Sequence, residues 1–172
     1  MDVERGQLSA ILELGRLLDD GGFDYWLFGG WAVDFHVGKV TRAHSDIDLA
    51  VWARDVDAIE KLLAFRGWSH AATTDEGGGA AYERDGIRTE LTFLIEGDHG
   101  EVMLAFRHGT TVWSPQPFGD ETRELRGAKA RVIPLEVLRA GKAIPREDPE
   151  EARVDRADLQ TLSSLGHPTP RP

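Results

Sequence analysis

The sequence predicts a mixed α+β fold in a single domain, and three observations carry that prediction. Apolar residues recur at helical spacing near both ends of the chain. Short aromatic or aliphatic runs bounded by glycines lie between the first helices. A stretch of alternating segments with turn residues fills the middle. The 172 residues suffice for one domain with its own core. Residues 1–166 are read as that domain and residues 167–172, rich in proline, as a C-terminal tail.

Each element has its own signal. Leu8, Ile11, Leu12, Leu14, Leu17 and Leu18 mark a first helix, which Asp19-Asp20-Gly21-Gly22 stops. Phe23 to Phe28 reads as a strand, broken by Gly29-Gly30, and Trp31 to Val37 as a short helix closed by Gly38. Ile47 to Trp52, extending back to Asp46, is a second strand. Asp55 reads as the N-cap of a helix over Val56 to Phe65. Strands are expected at Ser69–Ala72, Ala80–Arg84, Arg88–Ile95 and Glu101–Arg107. Gly77-Gly78-Gly79, Asp85-Gly86 and Gly97-Asp98 fall between them as turns. A last short strand is placed at Ala130–Ile133. A helix begins at Pro134 and is ended by Gly141, and a final helix covers Glu150 to Leu165.

Composition narrows the class. There are no cysteines, which excludes disulfides, thiolate metal sites and thiol nucleophiles. No apolar run is long enough to span a bilayer, and the acidic start MDVERGQLSA lacks the basic region of a secretory signal. A cytoplasmic protein without a membrane partner is expected. The net charge of −10 argues against a nucleic-acid partner, whose phosphates call for a basic surface, and suits a cationic small molecule.

The chemistry concentrates between Tyr25 and Trp52. Asp46 and Asp48 stand two apart at the start of a strand, so their side chains share one face while Ile47 and Leu49 face the core. Two adjacent carboxylates repel each other unless a cation lies between them, and hard oxygen donors suit Mg²⁺. Glu90 is the candidate third acid, alternating with Leu91, Phe93 and Ile95. An acidic residue on such a strand needs a partner or a task. The alternative is a carboxylate paired with Arg88 or Arg84. Gly29-Gly30 follows a strand and precedes a helix, where small residues let backbone N–H groups approach an anion. Asp34 is expected to fix the loop that carries Arg42. Glu76, Glu83, Asp98 and Glu101, or Trp31, Trp52, Trp68 and Trp113, are candidates for lining an acceptor pocket.

These residues resemble the nucleotidyltransferase superfamily, with its Gly-Gly, spacer, Asp-x-Asp signature and later acid on a neighbouring strand. More closely they are similar to the small antibiotic-modifying members, the aminoglycoside 2''-nucleotidyltransferases and short lincosamide nucleotidyltransferases. The shared form is Tyr25-Trp26-Leu27, Gly29-Gly30-Trp31, Val33-Asp34, Gly38-Lys39 and Arg42-x-His44-x-Asp46-Ile47-Asp48. The C-terminal part matches more thinly, through Ile133-Pro134 and the helix with Asp155, Asp158 and Leu159. The resemblance implies a mixed sheet flanked by helices. It implies Mg²⁺ on Asp46, Asp48 and Glu90, with Glu90 as general base, although relatives commonly carry Asp there. Gly29, Gly30, Lys39, Arg42 and His44 would bind the nucleotide, and Lys142 is a further candidate for its phosphates. The reaction implied is transfer of AMP from ATP to a hydroxyl of a small antibiotic, an aminoglycoside rather than a lincosamide, by a monomer or homodimer. The alternatives are a transferase acting on protein or tRNA, and a non-catalytic nucleotide-binding module of the same fold.

Overall fold

The computed structural model describes residues 2–73, 78–106 and 108–166. Helix α1 (Val3–Asp20) leads to strand β1 (Tyr25–Phe28), helix α2 (Gly29–Val37) and strand β2 (Ile47–Trp52). A 3-10 turn at Ala53–Asp55 opens α3 (Val56–Phe65). Strands β3 (Ser69–Ala71), β4 (Gly79–Arg84), β5 (Ile87–Glu96), β6 (Val102–Phe106) and β7 (Gly109–Ser114) follow. A hairpin of β8 (Thr122–Leu125) and β9 (Ala128–Arg131) precedes α4 (Leu135–Lys142) and α5 (Pro149–Ser163). Among the described residues no helix is long and apolar enough to cross a membrane.

One mixed sheet organises these elements. Its order is β1-β2-β5-β4-β3, with β6 joined to β5 and β7 to β6. All pairings are antiparallel except β2 with β5. That parallel pair matters most, because its register sets Asp48 directly opposite Glu90. β5 accepts β4 along Ile87–Thr92 and β6 along Leu94–Glu96. Where the neighbour changes, the burial phase changes too: Leu91 and Leu94 are buried while Ile95 is exposed. The simple alternation expected of Leu91, Phe93 and Ile95 therefore fails at its last residue.

The helices form where sequence chemistry favours them. Asp2 caps α1 by accepting from the Glu4 N–H at 3.3 Å, and Leu8, Ile11, Leu14 and Leu18 bury one stripe of it. Asp148 caps α5 by accepting from the N–H groups of Glu150 and Glu151 at 2.9 Å, with Pro149 in the first turn. Asp55 does occupy the N-cap position of α3, but its side chain makes no capping bond. Gly29-Gly30 does not separate strand from helix; both glycines belong to α2. Asp46 lies just before β2 rather than within it. Gly141 does not end α4, which continues to Lys142, and ion pairs from Lys142 to α5 tie down that last turn.

Two strands are absent from the sequence-based expectation. β7 pairs only with β6 and is largely exposed, so it shows little apolar pattern. The β8–β9 hairpin turns through Arg126 at φ 49° and Gly127 at φ 82°, without the Asn-Gly or Asp-Gly pair that signals such turns. Glu76, Gly77, Arg107 and the tail 167–172 lie outside the described residues.

Candidate active site

The loop between α2 and β2 is built around one buried carboxylate. Asp34, fully buried on α2, accepts from the Thr41 N–H at 3.1 Å and from the Thr41 hydroxyl at 2.5 Å through Oδ1. Its Oδ2 takes His44 Nε2 at 2.6 Å. The His44 ring lies against Trp31 with centroids 4.4 Å apart, and its carbonyl accepts from buried Gln7 at 3.1 Å. Thr41, His44 and the residues between them are thus held by a group seven to ten positions earlier. This is the loop-fixing role expected of Asp34.

The loop delivers its charged residues to a cleft of about 640 Å³. Gly29, Gly30, Arg42, His44, Asp46, Asp48 and Glu90 all line it, and so do Trp113, Lys142 and Glu151. Lys39 does not: it is exposed on the turn that ends α2, away from the cleft. Trp31, Trp52 and Trp68 are core residues, which leaves Trp113 as the tryptophan in the wall. Glu83, Asp98 and Glu101 are likewise outside the lining, whereas Glu150 and Glu151 of α5 belong to it.

The glycines are there because nothing larger fits. Gly29 has φ +65°, and a Cβ on it would collide with the Asp48 carboxylate. A Cβ on Gly30 would collide with the Arg42 guanidinium and lie 2.6 Å from His44 Nδ1. The first turn of α2 is therefore in close packing with three site residues at once. Phe28 at the N-cap offers no side-chain bond to the helix N–H groups. An uncapped helix N-terminus beside a guanidinium is a natural seat for a phosphate.

The acidic side of the cleft is only partly compensated. Burial, then the neighbouring charges of Asp46 and Glu90, push the Asp48 carboxyl up to about 7. Arg42 and Lys142 pull it the other way without prevailing. A cation would relieve this repulsion. Asp46 and Asp48 fit Mg²⁺, which takes one or two carboxylates and completes its shell with water and substrate phosphates. Among the described residues, no three His, Cys, Asp or Glu side chains are grouped to hold a metal ion by themselves. Glu90 is thus not drawn into a three-ligand set. Its Oε1 instead accepts from Arg88 Nε at 2.9 Å and lies 2.8 Å from Arg88 Nη2, so the expected strand pairing with Arg88 coexists with its place in the cleft.

The basic side is fully paired. Arg42 forks onto Asp158, with Nε to Oδ1 and Nη2 to Oδ2 both at 3.1 Å. Lys142 Nζ lies 2.8 Å from Asp155 Oδ1 and 2.9 Å from Asp158 Oδ2. Arg146 Nε donates to Asp155 Oδ2 at 2.8 Å. Burial raises the Asp158 carboxyl, but bonds from Arg42 and Lys142 outweigh it and leave the group below its ordinary value. Sequence reasoning placed Arg42 and Lys142 but gave α5 no role in holding them. The available signal was Asp155 and Asp158 at i, i+3 on one helix face together with the buried Leu162, since buried acids need partners.

The fold is that of the nucleotidyltransferases. Within that class, the chain belongs to the aminoglycoside-2''-adenylyltransferase family, whose model matches residues 10–162. The chain is similar to a 2''-aminoglycoside nucleotidyltransferase of Escherichia coli, 35% identical over 63 residues that cover 35% of this chain and 36% of that protein. A Klebsiella pneumoniae protein of the same description is 33% identical over 61 residues, covering 36% and 34%. The matched segment thus spans about a third of the length of these curated relatives. Among solved structures, ANT(2'')-Ia in complex with adenylyl-2''-tobramycin superposes with a TM-score of 0.69 at 20% identity, covering 94% of this chain and 90% of that one. The lincosamide antibiotic adenylyltransferase LnuA, lincomycin-bound, gives 0.68 at 21% identity, covering 87% and 91%. At these identities the likeness is one of fold.

Proposed function

We propose that the protein transfers AMP from ATP to a hydroxyl of an aminoglycoside and releases pyrophosphate. The observation that carries this reading is the meeting, in one cleft, of the Asp46 and Asp48 carboxylates and an uncapped helix N-terminus flanked by Arg42. The two halves suit a divalent cation and a polyphosphate respectively.

In this mechanism the α2 N-terminus and Arg42 take phosphate oxygens, and Lys142 adds a second positive charge. Asp46 and Asp48 would hold Mg²⁺, which supplies Lewis acidity and a template for the phosphates when bound. Glu90, steadied by Arg88 through Oε1, accepts the proton of the acceptor hydroxyl. The hydroxyl oxygen forms its bond to the α-phosphorus as the bond to the pyrophosphate oxygen breaks. An aminoglycoside acceptor is favoured because its amines are cations and the chain carries a net charge of −10, with Glu150 and Glu151 in the cleft wall. The family description and the curated relatives point the same way. A nucleotide donor and a cysteine-free chain fit a cytoplasmic place of action.

The test is a panel assay with Mg²⁺, each of the four nucleoside triphosphates, and aminoglycoside and lincosamide acceptors. Pyrophosphate release and product mass are followed together. An aminoglycoside product heavier by one AMP unit supports the proposal. A lincosamide product would overturn the acceptor choice, and failure to bind Mg-ATP would sink the enzyme reading itself.

A further inference from the structure

The cations of the cleft are not free-standing. Arg42 comes from the loop before β2, while its carboxylate partner Asp158 lies 116 residues later on α5. Asp158 is only 3% exposed and Asp155 9%, so both are shielded by the packing of α5. All four of their oxygens are engaged by Arg42, Lys142 and Arg146. Three cations against two carboxylates leave the cluster with one positive charge in excess. The guanidinium is also bounded by the first turn of α2, since a single Cβ on Gly30 would strike its Nη2. Arg42 is therefore clamped between α5 and the first turn of α2, where a phosphate would sit. Lys142 is fixed by both acids at the other end of the same cluster.

We propose that Asp155 and Asp158 are positioning residues for the triphosphate. They order Arg42 and Lys142 before the nucleotide arrives, so that binding does not have to immobilise two long side chains. Asp158 is not part of the cleft lining, while Asp155 borders it. The C-terminal helix, remote in sequence from the catalytic carboxylates, thereby sets nucleotide affinity. This inference rests on the nucleotide-transfer reading above.

The experiment uses the full chain and three variants, Asp158→Asn, Asp158→Glu and Asp155→Asn. Binding of Mg-ATP and of inorganic tripolyphosphate is measured by calorimetry, and KM and kcat are measured separately for nucleotide and acceptor. Asp158→Asn is expected to weaken both ligands about tenfold, the scale of a lost charged hydrogen bond, with kcat and acceptor KM changed less than about twofold. Asp158→Glu should recover part of the loss, which a purely structural role would not require. Should Asp158→Asn fail to fold, Asp155→Asn serves, because it removes one of the two acids that hold Lys142 while leaving the Arg42 fork intact; a loss of about threefold is expected. Unchanged or tighter binding in a folded variant overturns the inference, since the acids would then be neutral or would compete with phosphate. If the wild-type chain binds neither ligand, the nucleotide-transfer reading fails and takes this one with it.

Discussion

The two walls of the cleft treat charge in opposite ways. On the β2–β5 wall, Asp46, Asp48 and Glu90 line the same side of the cleft, and Asp48 is pushed up to about 7 by burial and by its acidic neighbours. On the wall formed by α4, α5 and the loop before β2, Arg42, Lys142 and Arg146 are each paired with Asp155 or Asp158, and Asp158 is held below its ordinary value despite burial. One wall carries a strain that a bound cation would relieve. The other has settled its charges within the fold and presents them in a set geometry. The contrast separates two sorts of site residue: those whose energy is released by a ligand, and those arranged in advance to receive one.

The largest effect should come from the strained wall. Asp48→Asn is expected to reduce transfer on the order of a thousandfold or more, because a cation ligand is lost at the reacting phosphate. The same change removes a buried repulsion, so the melting temperature without metal should hold or rise near pH 8. A variant that melts lower and still turns over would break the assignment of strain to Asp48.

Gly29→Ala is expected next. It forces a side chain into φ +65° and against the Asp48 carboxylate. The backbone strain should cost about 1–2 kcal/mol of stability, and displacement of the carboxylate about a hundredfold in kcat/KM. Chemical denaturation and steady-state kinetics on the same preparation would check both figures.

A smaller, graded effect concerns pH. A carboxyl raised to about 7 in the folded state binds a proton that the unfolded chain has already lost. Stability without metal should therefore fall as pH rises from about 4, the ordinary carboxylate value, towards about 7. Mg²⁺ requires the ionised form, so its affinity should climb over the upper part of that window. Melting curves with and without Mg²⁺ across this range should diverge as pH increases. In Asp48→Asn the Asp48 share of that divergence should vanish; a full wild-type divergence there would move the effect to another group.

Lys39→Ala should do least, with KM for nucleotide and melting temperature both close to wild type, within about 0.5 kcal/mol. A KM rise of tenfold would return Lys39 to the site, against its exposed position outside the cleft.

Legibility in the sequence followed the distance over which each feature is built. The acidic wall was readable because strand periodicity places Asp48 opposite the buried Ile47 and Leu49, and because the glycine pair precedes it at close range. Glu90 was readable as an acid interrupting an apolar alternation, though its bond to Arg88 and its register with Asp48 needed the sheet. β9 was expected two residues late, at Ala130–Ile133; β8 was hidden by a turn without the usual residues, and β7 by its exposed edge position. Lys39 was expected in the site from its adjacency to the motif, whereas the structure leaves it exposed and outside the cleft lining.

What the sequence determined by itself was the mixed α+β fold, the position of the paired aspartates at the mouth of a strand, and the glycines that approach them. These depend on periods of two and of three to four residues and on local sterics, which short segments express in any context. What only the tertiary structure decided was the basic wall. Arg42 and Asp158 meet because α5 packs against α2 and α4, and no local rule links residues 116 positions apart. A buried carboxylate announces in sequence that it needs a cation, but packing alone chooses which one.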